Sequence, residues 1–461
     1  MATSFDEHFE RARQARADRN HAVARVAWED ALSAAAAPRE RALALNGLAD
    51  TLGDNDNRAI ELLDQAIASC LPQGDQDTPQ DAMTAYALAQ SWYDKAIILM
   101  MMRRDEDALA VLDEPLGRFL DRVTNHKPQS EWDWELCLSV ARALRTKSGT
   151  LTNLERFEEA LACCDDLIRR FGTATDERLL RLVARAMYWR AVYRGDTGRQ
   201  DKEVEGYADL IARFGDSPNE HIIEAVLDGF DRKTRIYQDQ EDLEMVIETC
   251  DDLIRRYGEH SDWRVANSVA RAMIRRAVAL GKKGQHGKEL TGYDAVVHRY
   301  GDSPEDLLRR HAAKALMFKA VTLNDADQTA AEMECYEEVL RRYAGDVDPG
   351  VRAVAADALI HKGCSLANLA EDAAGGAANR DVEPEIACFD QVVTRYGEDD
   401  AIDLKRAVAE ALLHKAETLL EAGRTGAGIA CLDSVIDDYG SAKDRELEEI
   451  VKDAHALRAE V

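Results

Sequence analysis

One interval governs this chain: 43 residues. An aromatic residue followed by glycine closes RRFG at Gly172, ARFG at Gly215, RRYG at Gly258 and HRYG at Gly301, each 43 residues after the last. RRYAG at Tyr343 keeps the step from Tyr300, and DDYG at Gly440 lies 43 after TRYG at Gly397. Between Tyr343 and Tyr396 the step is 53, and the ten extra residues fall in EDAAGGAANRDV, Glu371 to Val382, whose small residues read as a loop insertion. The heptapeptide CDDLIRR, at Cys164–Arg170 and again at Cys250–Arg256, is 86 residues from its copy, which is two periods. A unit this short cannot bury an apolar face alone, so tandem copies must stack on one another.

The last full unit, Ala409 to Gly440, shows what is copied. Leu412, Ala416 and Leu419 recur at helical steps, Gly423 marks a stop, and Ile429, Leu432 and Val435 carry a second helix to the Tyr-Gly terminator. The spacing predicts a helical hairpin. The unit resembles the tetratricopeptide repeat (TPR). Leu412 stands where that pattern has Trp, Ala416 where it has Gly, Gly423 at its turn glycine, Leu432 and Val435 at its second-helix aromatic and alanine, and Gly440 where Pro ends the repeat. The period is 43 rather than 34, and the signature Trp and final Pro are replaced, so the resemblance is to a variant. It implies an all-α fold: a right-handed α-solenoid of about ten TPR-like hairpins. On this reading residues 1–125 hold less regular hairpins, 126–440 the regular repeats with the loop insertion 371–382, and 441–461 a C-terminal capping helix. The N-terminal stretches LPQGDQDTPQ (71–80) and TNHKPQSEWD (124–133) read as irregular loops.

A charge pattern accompanies the period. A basic residue precedes a small one in nearly every first helix: Lys95-Ala96, Lys147-Ser148, Arg190-Ala191, Lys233-Thr234, Arg276-Ala277, Lys319-Ala320, Lys362-Gly363 and Lys415-Ala416. Eighteen residues on stands an acid, as in Lys95 to Asp113, Lys147 to Asp165, Arg276 to Asp294, Lys319 to Glu337 and Lys415 to Asp433; Lys362 finds Asp390 once the ten-residue insertion is added. Residues equidistant from a hairpin bend face each other, so the spacing predicts an ion pair across the two helices of each repeat.

Several function classes fall away. With 87 acidic against 59 basic residues, a net charge of −28 repels nucleic acid and anionic membrane surfaces. The longest apolar run, Ala96 to Met102, is too short to span a bilayer. MATSFDEHFERARQ has no signal-peptide pattern, and nine cysteines without a CxxC fit a reducing, cytoplasmic setting. Abundant arginine relative to lysine points to a GC-rich, bacterial coding sequence. Cys163, Cys335, Cys388 and Cys431 share one second-helix slot with Gly206, Thr249 and Gly292, which marks a close helix approach rather than a reactive thiol. His361 and His414 share a first-helix slot without a third ligand, so no metal site is expected. Phosphate-loop, HExxH, GxSxG and dinucleotide-binding motifs are lacking, and neither a cofactor nor catalysis is expected.

One surface remains. In TPR arrays first helices line the inner face, and transferring that facing puts Arg142, Arg145, Arg185, Tyr188, Trp189, Asp228, Arg232, Arg235, Arg271, Arg275, Lys314 and Phe318 in a groove. That is eight bases to one acid on an acidic body; further on the same slots hold Asp357, Glu410 and Glu417. A basic, aromatic groove suits an acidic peptide or a C-terminal carboxylate. The resulting expectation is a non-catalytic interaction scaffold or adaptor for a protein or peptide partner. The alternative is a ligand-responsive regulator that changes curvature to release a partner, with 371–382 as its hinge. Neutralisation of the arginines by neighbouring acids is the competing reading of the groove.

Overall fold

The computed structural model describes residues 4–52, 57–71, 79, 81–125, 128–374 and 380–461. Among them are twenty-one helices and no strand. In chain order these are α1 (Phe5–Ala17), α2 (His21–Ala34), α3 (Pro38–Asp50), α4 (Asn57–Cys70), α5 (Ala82–Met101), α6 (Asp105–Asn125), α7 (Glu131–Asn153), α8 (Phe157–Phe171), α9 (Glu177–Asp196), α10 (Gln200–Phe214) and α11 (Glu220–Asp239). They continue with α12 (Leu243–Tyr257), α13 (Trp263–Lys282), α14 (His286–Tyr300), α15 (Asp306–Asn324), α16 (Thr329–Tyr343), α17 (Pro349–Ala374), α18 (Glu383–Tyr396), α19 (Ile402–Glu421), α20 (Thr425–Tyr439) and α21 (Arg445–Glu460). No described helix is long and apolar enough to cross a membrane.

The helices divide into two compact units, Met1–Lys233 and Thr234–Val461, with the division inside α11. In unit one, α1/α2, α3/α4, α5/α6, α7/α8 and α9/α10 pack as hairpins, and α3, α5, α7 and α9 lie side by side. In unit two the hairpins are α13/α14, α15/α16, α17/α18 and α19/α20, with α13, α15, α17, α19 and α21 side by side. Second helices also pack on the next first helix, as α14 does on α15 and α20 on α21. This double contact is the α-solenoid arrangement of TPR-like hairpins. The last helix packs as a first helix does, on α20 and beside α19.

Local chemistry sets the boundaries. Several first helices begin on aspartate caps: Asp176 accepts from the backbone N–H groups of Arg178 and Leu179, Asp262 from Arg264, and Asp444 from Leu447. The bend inside the regular hairpins uses one left-handed residue. Glu155, Gly198, Glu241, Gly284 and Asp327 supply it at 43-residue steps, and Gly423 again in the last hairpin, with φ of 59°, 77°, 57°, 73°, 55° and 71°. The Tyr-Gly terminators work differently. Gly172, Gly258 and Gly301 keep right-handed φ, and Ala344 takes the same place in RRYAG. At Gly301 a Cβ would stand 2.6 Å from the Arg342 guanidinium of the next repeat, so there the glycine admits a neighbour.

The copied heptapeptide now has a physical reading. Cys164 is buried, Asp165 meets a base of the next repeat, and Asp166 holds Arg169 and, at 2.9 Å, Arg170. Asp252 repeats that clamp on Arg255 and Arg256. The arginine before the aromatic reaches back one repeat: Arg213 donates to the Gly172 carbonyl, Arg299 to that of Gly258, and Arg342 lies 3.5 Å from Asp302. Tyr343 adds its hydroxyl to the Gly301 carbonyl at 3.2 Å.

The charge ladder exists, but its rungs join neighbouring repeats. Lys319 Nζ lies 2.6 Å from Asp294, Lys362 3.1 Å from Glu337, Lys415 2.5 Å from Asp390, and Arg276 2.5 Å from Asp251. Each acid lies 25 residues before its base rather than 18 after it. Lys95–Asp64 at 2.6 Å, Lys147–Asp113 at 2.5 Å and Arg190–Asp165 at 3.5 Å are the rungs of unit one, and Arg458 of α21 closes the ladder on Asp433 at 3.0 Å. The intra-repeat prediction is corrected by helix geometry. The small residue after each base faces its own hairpin: a Cβ on Gly206 would stand 2.8 Å from that of Ala191, and one on Gly292 2.9 Å from that of Ala277. The base, one position earlier, is rotated by about 100° and faces the preceding hairpin.

Two further expectations are modified. Glu371–Ala374 of the insertion extend α17 instead of forming loop, while 375–379 lie outside the described residues. Most of 71–80, with 126–127 of the second N-terminal stretch, also lies outside them.

Candidate functional site

Residues of α7, α9 and the part of α11 within unit one line an open concavity of about 270 Å³. From α7 come Arg142 and Arg145, from α9 Arg178, Arg181 and Arg185, and from α11 His221 and Glu224. Arg178, Arg181 and Arg185 share a face because they fall at i, i+3 and i+7. Two of the five guanidiniums are already engaged. Arg178 bridges Glu135 at 2.6 Å and its cap Asp176 at 3.1 Å, and Arg185 meets Asp228 at 2.7 Å. Arg142, Arg145 and Arg181 form no ion pair among the described residues. Three uncommitted guanidiniums around one hollow can receive a carboxylate or a run of acidic side chains, each through parallel N–H donors.

The predicted groove residues divide by position. Arg142, Arg145 and Arg185 come together in this hollow, and Asp228, the acid among them, neutralises Arg185. Tyr188 is buried beneath: its ring lies 5.4 Å from the Arg185 guanidinium and 5.3 Å, edge-on, from Trp189. Trp189 is half-buried and stacks on Tyr193 at 5.8 Å. Arg232 is exposed on α11, and the Tyr188 hydroxyl beside it strengthens its hold on its proton.

In unit two, Arg235 of α11 and Lys314 of α15 are exposed, and Arg271 and Arg275 of α13 are half-buried. Burial lowers the Arg275 pKa. Phe318 is 41% exposed yet stacks on Tyr293 at 6.0 Å. Its slot is a joint between successive hairpins, for His361 stacks on Tyr336 at 6.5 Å and His414 on Phe389 at 5.9 Å in the same position. His414 also bridges Glu417 at 3.1 Å and Glu410 at 3.8 Å; its pKa rises to about 9 through the hydrogen bonds to Glu410 and then Glu417. On that helix the acids are neutralised along the chain.

Fixed slots counted from the ladder base missed Arg178, Arg181 and His221. The i, i+3, i+7 arginines of ERLLRLVAR were the available signal; His221 had none. The cysteines behave as packing residues: burial pushes the Cys163 and Cys335 thiols up to about 11 and Cys164 and Cys250 to about 12, far from thiolate reactivity at neutral pH.

The sequence matches no family model and no curated protein. Among solved structures, the chain is similar to one from work on a phosphorylation switch in the interaction between cadherin and beta-catenin, at 15% identity over 91% of this chain and 83% of that one, TM-score 0.45. It is also similar to human IFIT1 in a dimer with m7Gppp-AAAA, at 12% identity over 100% and 91%, TM-score 0.33. A third similarity is to a Rap protein complexed with competence and sporulation factor, at 12% identity over 91% and 100%, TM-score 0.29.

Proposed function

We propose that this chain is a non-catalytic interaction scaffold, and that the hollow on α7, α9 and α11 receives an acidic segment or the C-terminal carboxylate of a partner polypeptide. The carrying observation is the convergence of Arg142, Arg145 and Arg181, without ionic partners among the described residues, in a chain of net charge −28. Arginines left unneutralised on such an acidic body favour an anionic ligand, and repeat arrays offer extended surfaces for one. Nine unpaired cysteines support a reducing, cytoplasmic location.

Fluorescence anisotropy with a labelled acidic peptide tests the reading. Arg142→Glu and Arg145→Glu should each weaken binding at least about tenfold, and raised salt should weaken it further. Glu410→Gln, on α19, should leave it unchanged. Equal affinity in wild type and in both arginine variants would overturn the assignment.

A further inference from the structure

A second cavity in unit one, of about 390 Å³, opens between α1, α3, α5 and α7 and has the opposite chemistry. Its wall is aromatic. Phe9 meets Trp28 at 5.4 Å and Trp132 at 6.3 Å, and Trp132 meets Tyr86 at 5.5 Å. Its other charges are paired: Arg16 with Asp50 at 2.8 Å, Arg13 with Glu131 at 3.6 Å, and Glu135 with Arg178 of the neighbouring hollow at 2.6 Å. One carboxylate lacks such a partner. Asp94 has no ion pair among the described residues, and one of its oxygens accepts a 2.8 Å hydrogen bond from Gln90 Nε2. Gln90 is itself oriented, because its carbonyl oxygen accepts from Ser139 at 2.8 Å. The other Asp94 oxygen has no donor among the described residues.

From this geometry we infer that the cavity is a binding site for a basic side chain, arginine or lysine, of a bound polypeptide. The free Asp94 oxygen is placed to accept from an N–H donor, and the aromatic wall supplies faces for an alkyl stem and for a cation above a ring. An anion would meet an uncompensated carboxylate, and an apolar group would leave it unsatisfied. The state of Asp94 agrees. Burial, helped by Asp50 of α3 and opposed by the Gln90 hydrogen bond, Arg16 of α1 and Arg142 of α7, pushes its carboxyl up to about 7. A cation seated there favours the ionised form, so binding releases protons near neutral pH. The site stands independently of the arginine hollow, although α7 contributes to both; a segment carrying a basic residue near acidic ones could use the two together.

Isothermal titration of the full chain with Nα-acetyl-arginine amide and Nα-acetyl-lysine amide tests the site. The neutral Nα-acetyl-citrulline amide and choline, a cation without N–H groups, are the controls. At least one basic probe should bind, with proton release measured by comparing buffers of different ionisation enthalpy. Asp94→Asn should abolish the release and weaken binding at least about tenfold. Trp132→Ala, on the half-buried rim, should weaken binding while leaving proton release measurable. Glu410→Gln, on α19 of unit two, should change neither. Binding of citrulline or choline as tight as that of the basic probes would overturn the proposal, as would undiminished binding by Asp94→Asn or failure of both basic probes to bind.

Discussion

Glu332 and Glu385 occupy the same second-helix slot, one in a regular repeat and one beside the insertion, and both are buried. Regular neighbours satisfy Glu332. It accepts from Tyr336 four residues on at 3.1 Å, from Ser365 of the next first helix at 2.6 Å, and from Asn324 of its own hairpin at 3.1 Å. Glu289, one period earlier, repeats the scheme with Tyr293 and Thr322, each at 3.0 Å. Glu385 has Phe389 where those repeats have tyrosine, and a hydroxyl donor is lost. Arg380, at the end of the insertion, takes its place: it reaches Glu385 and Glu421, each at 2.8 Å, with its side chain 6% exposed. Burial still raises the Glu385 pKa. A slot that buries a carboxylate demands donors; where the repeat pattern loses one, the added segment supplies a cation to Oε2, while Oε1 stays without a donor among the described residues. Arg380 therefore anchors the C-terminal end of the insertion.

The largest test of this contrast is Arg380→Ala, which leaves Glu385 buried and uncompensated and should cost roughly 3–5 kcal/mol in urea unfolding at pH 8. The deficit should shrink as pH falls and Glu385 protonates. The sign follows from its raised folded pKa: the native state holds that proton more tightly than the unfolded chain, so this group destabilises the fold as pH rises from its unfolded value through the folded one. A pH-independent deficit would break the comparison. In the regular repeat, Tyr336→Phe removes one of several donors and should cost about 1–2 kcal/mol. Phe389→Tyr in the Arg380→Ala background should recover a similar amount if the two slots are equivalent. The smallest effect belongs to the ladder. Lys362→Ala and Lys415→Ala each remove an ion pair whose acid is largely exposed, and each should cost less than about 1 kcal/mol, without distinguishing the two repeats.

The hairpins, the bend at Gly423 and the tight slot of Gly206 and Gly292 were legible in the sequence, because each is a local signal recurring at a fixed step. The direction of the ladder was not read correctly. Steps of 18 forward and 25 back sum to the period, so Arg276, Lys319 and Lys415 each have an acid at both distances, and periodicity alone cannot choose between them. Only the facing of Ala191 and Ala277 toward their own hairpins turns the preceding base to its neighbour. The candidate site was legible by half. Arg142, Arg145 and Arg185 stood out as basic first-helix slots, while Arg181 and His221 joined them through the lateral packing of first helices. Which arginines remain uncommitted was likewise decided by tertiary distance: Asp228 and Glu135 neutralise only the partners that packing brings within reach. A single repeated unit dictates its own helices, but charge pairing depends on which face of each helix meets which neighbour, and that is settled only when the hairpins stack.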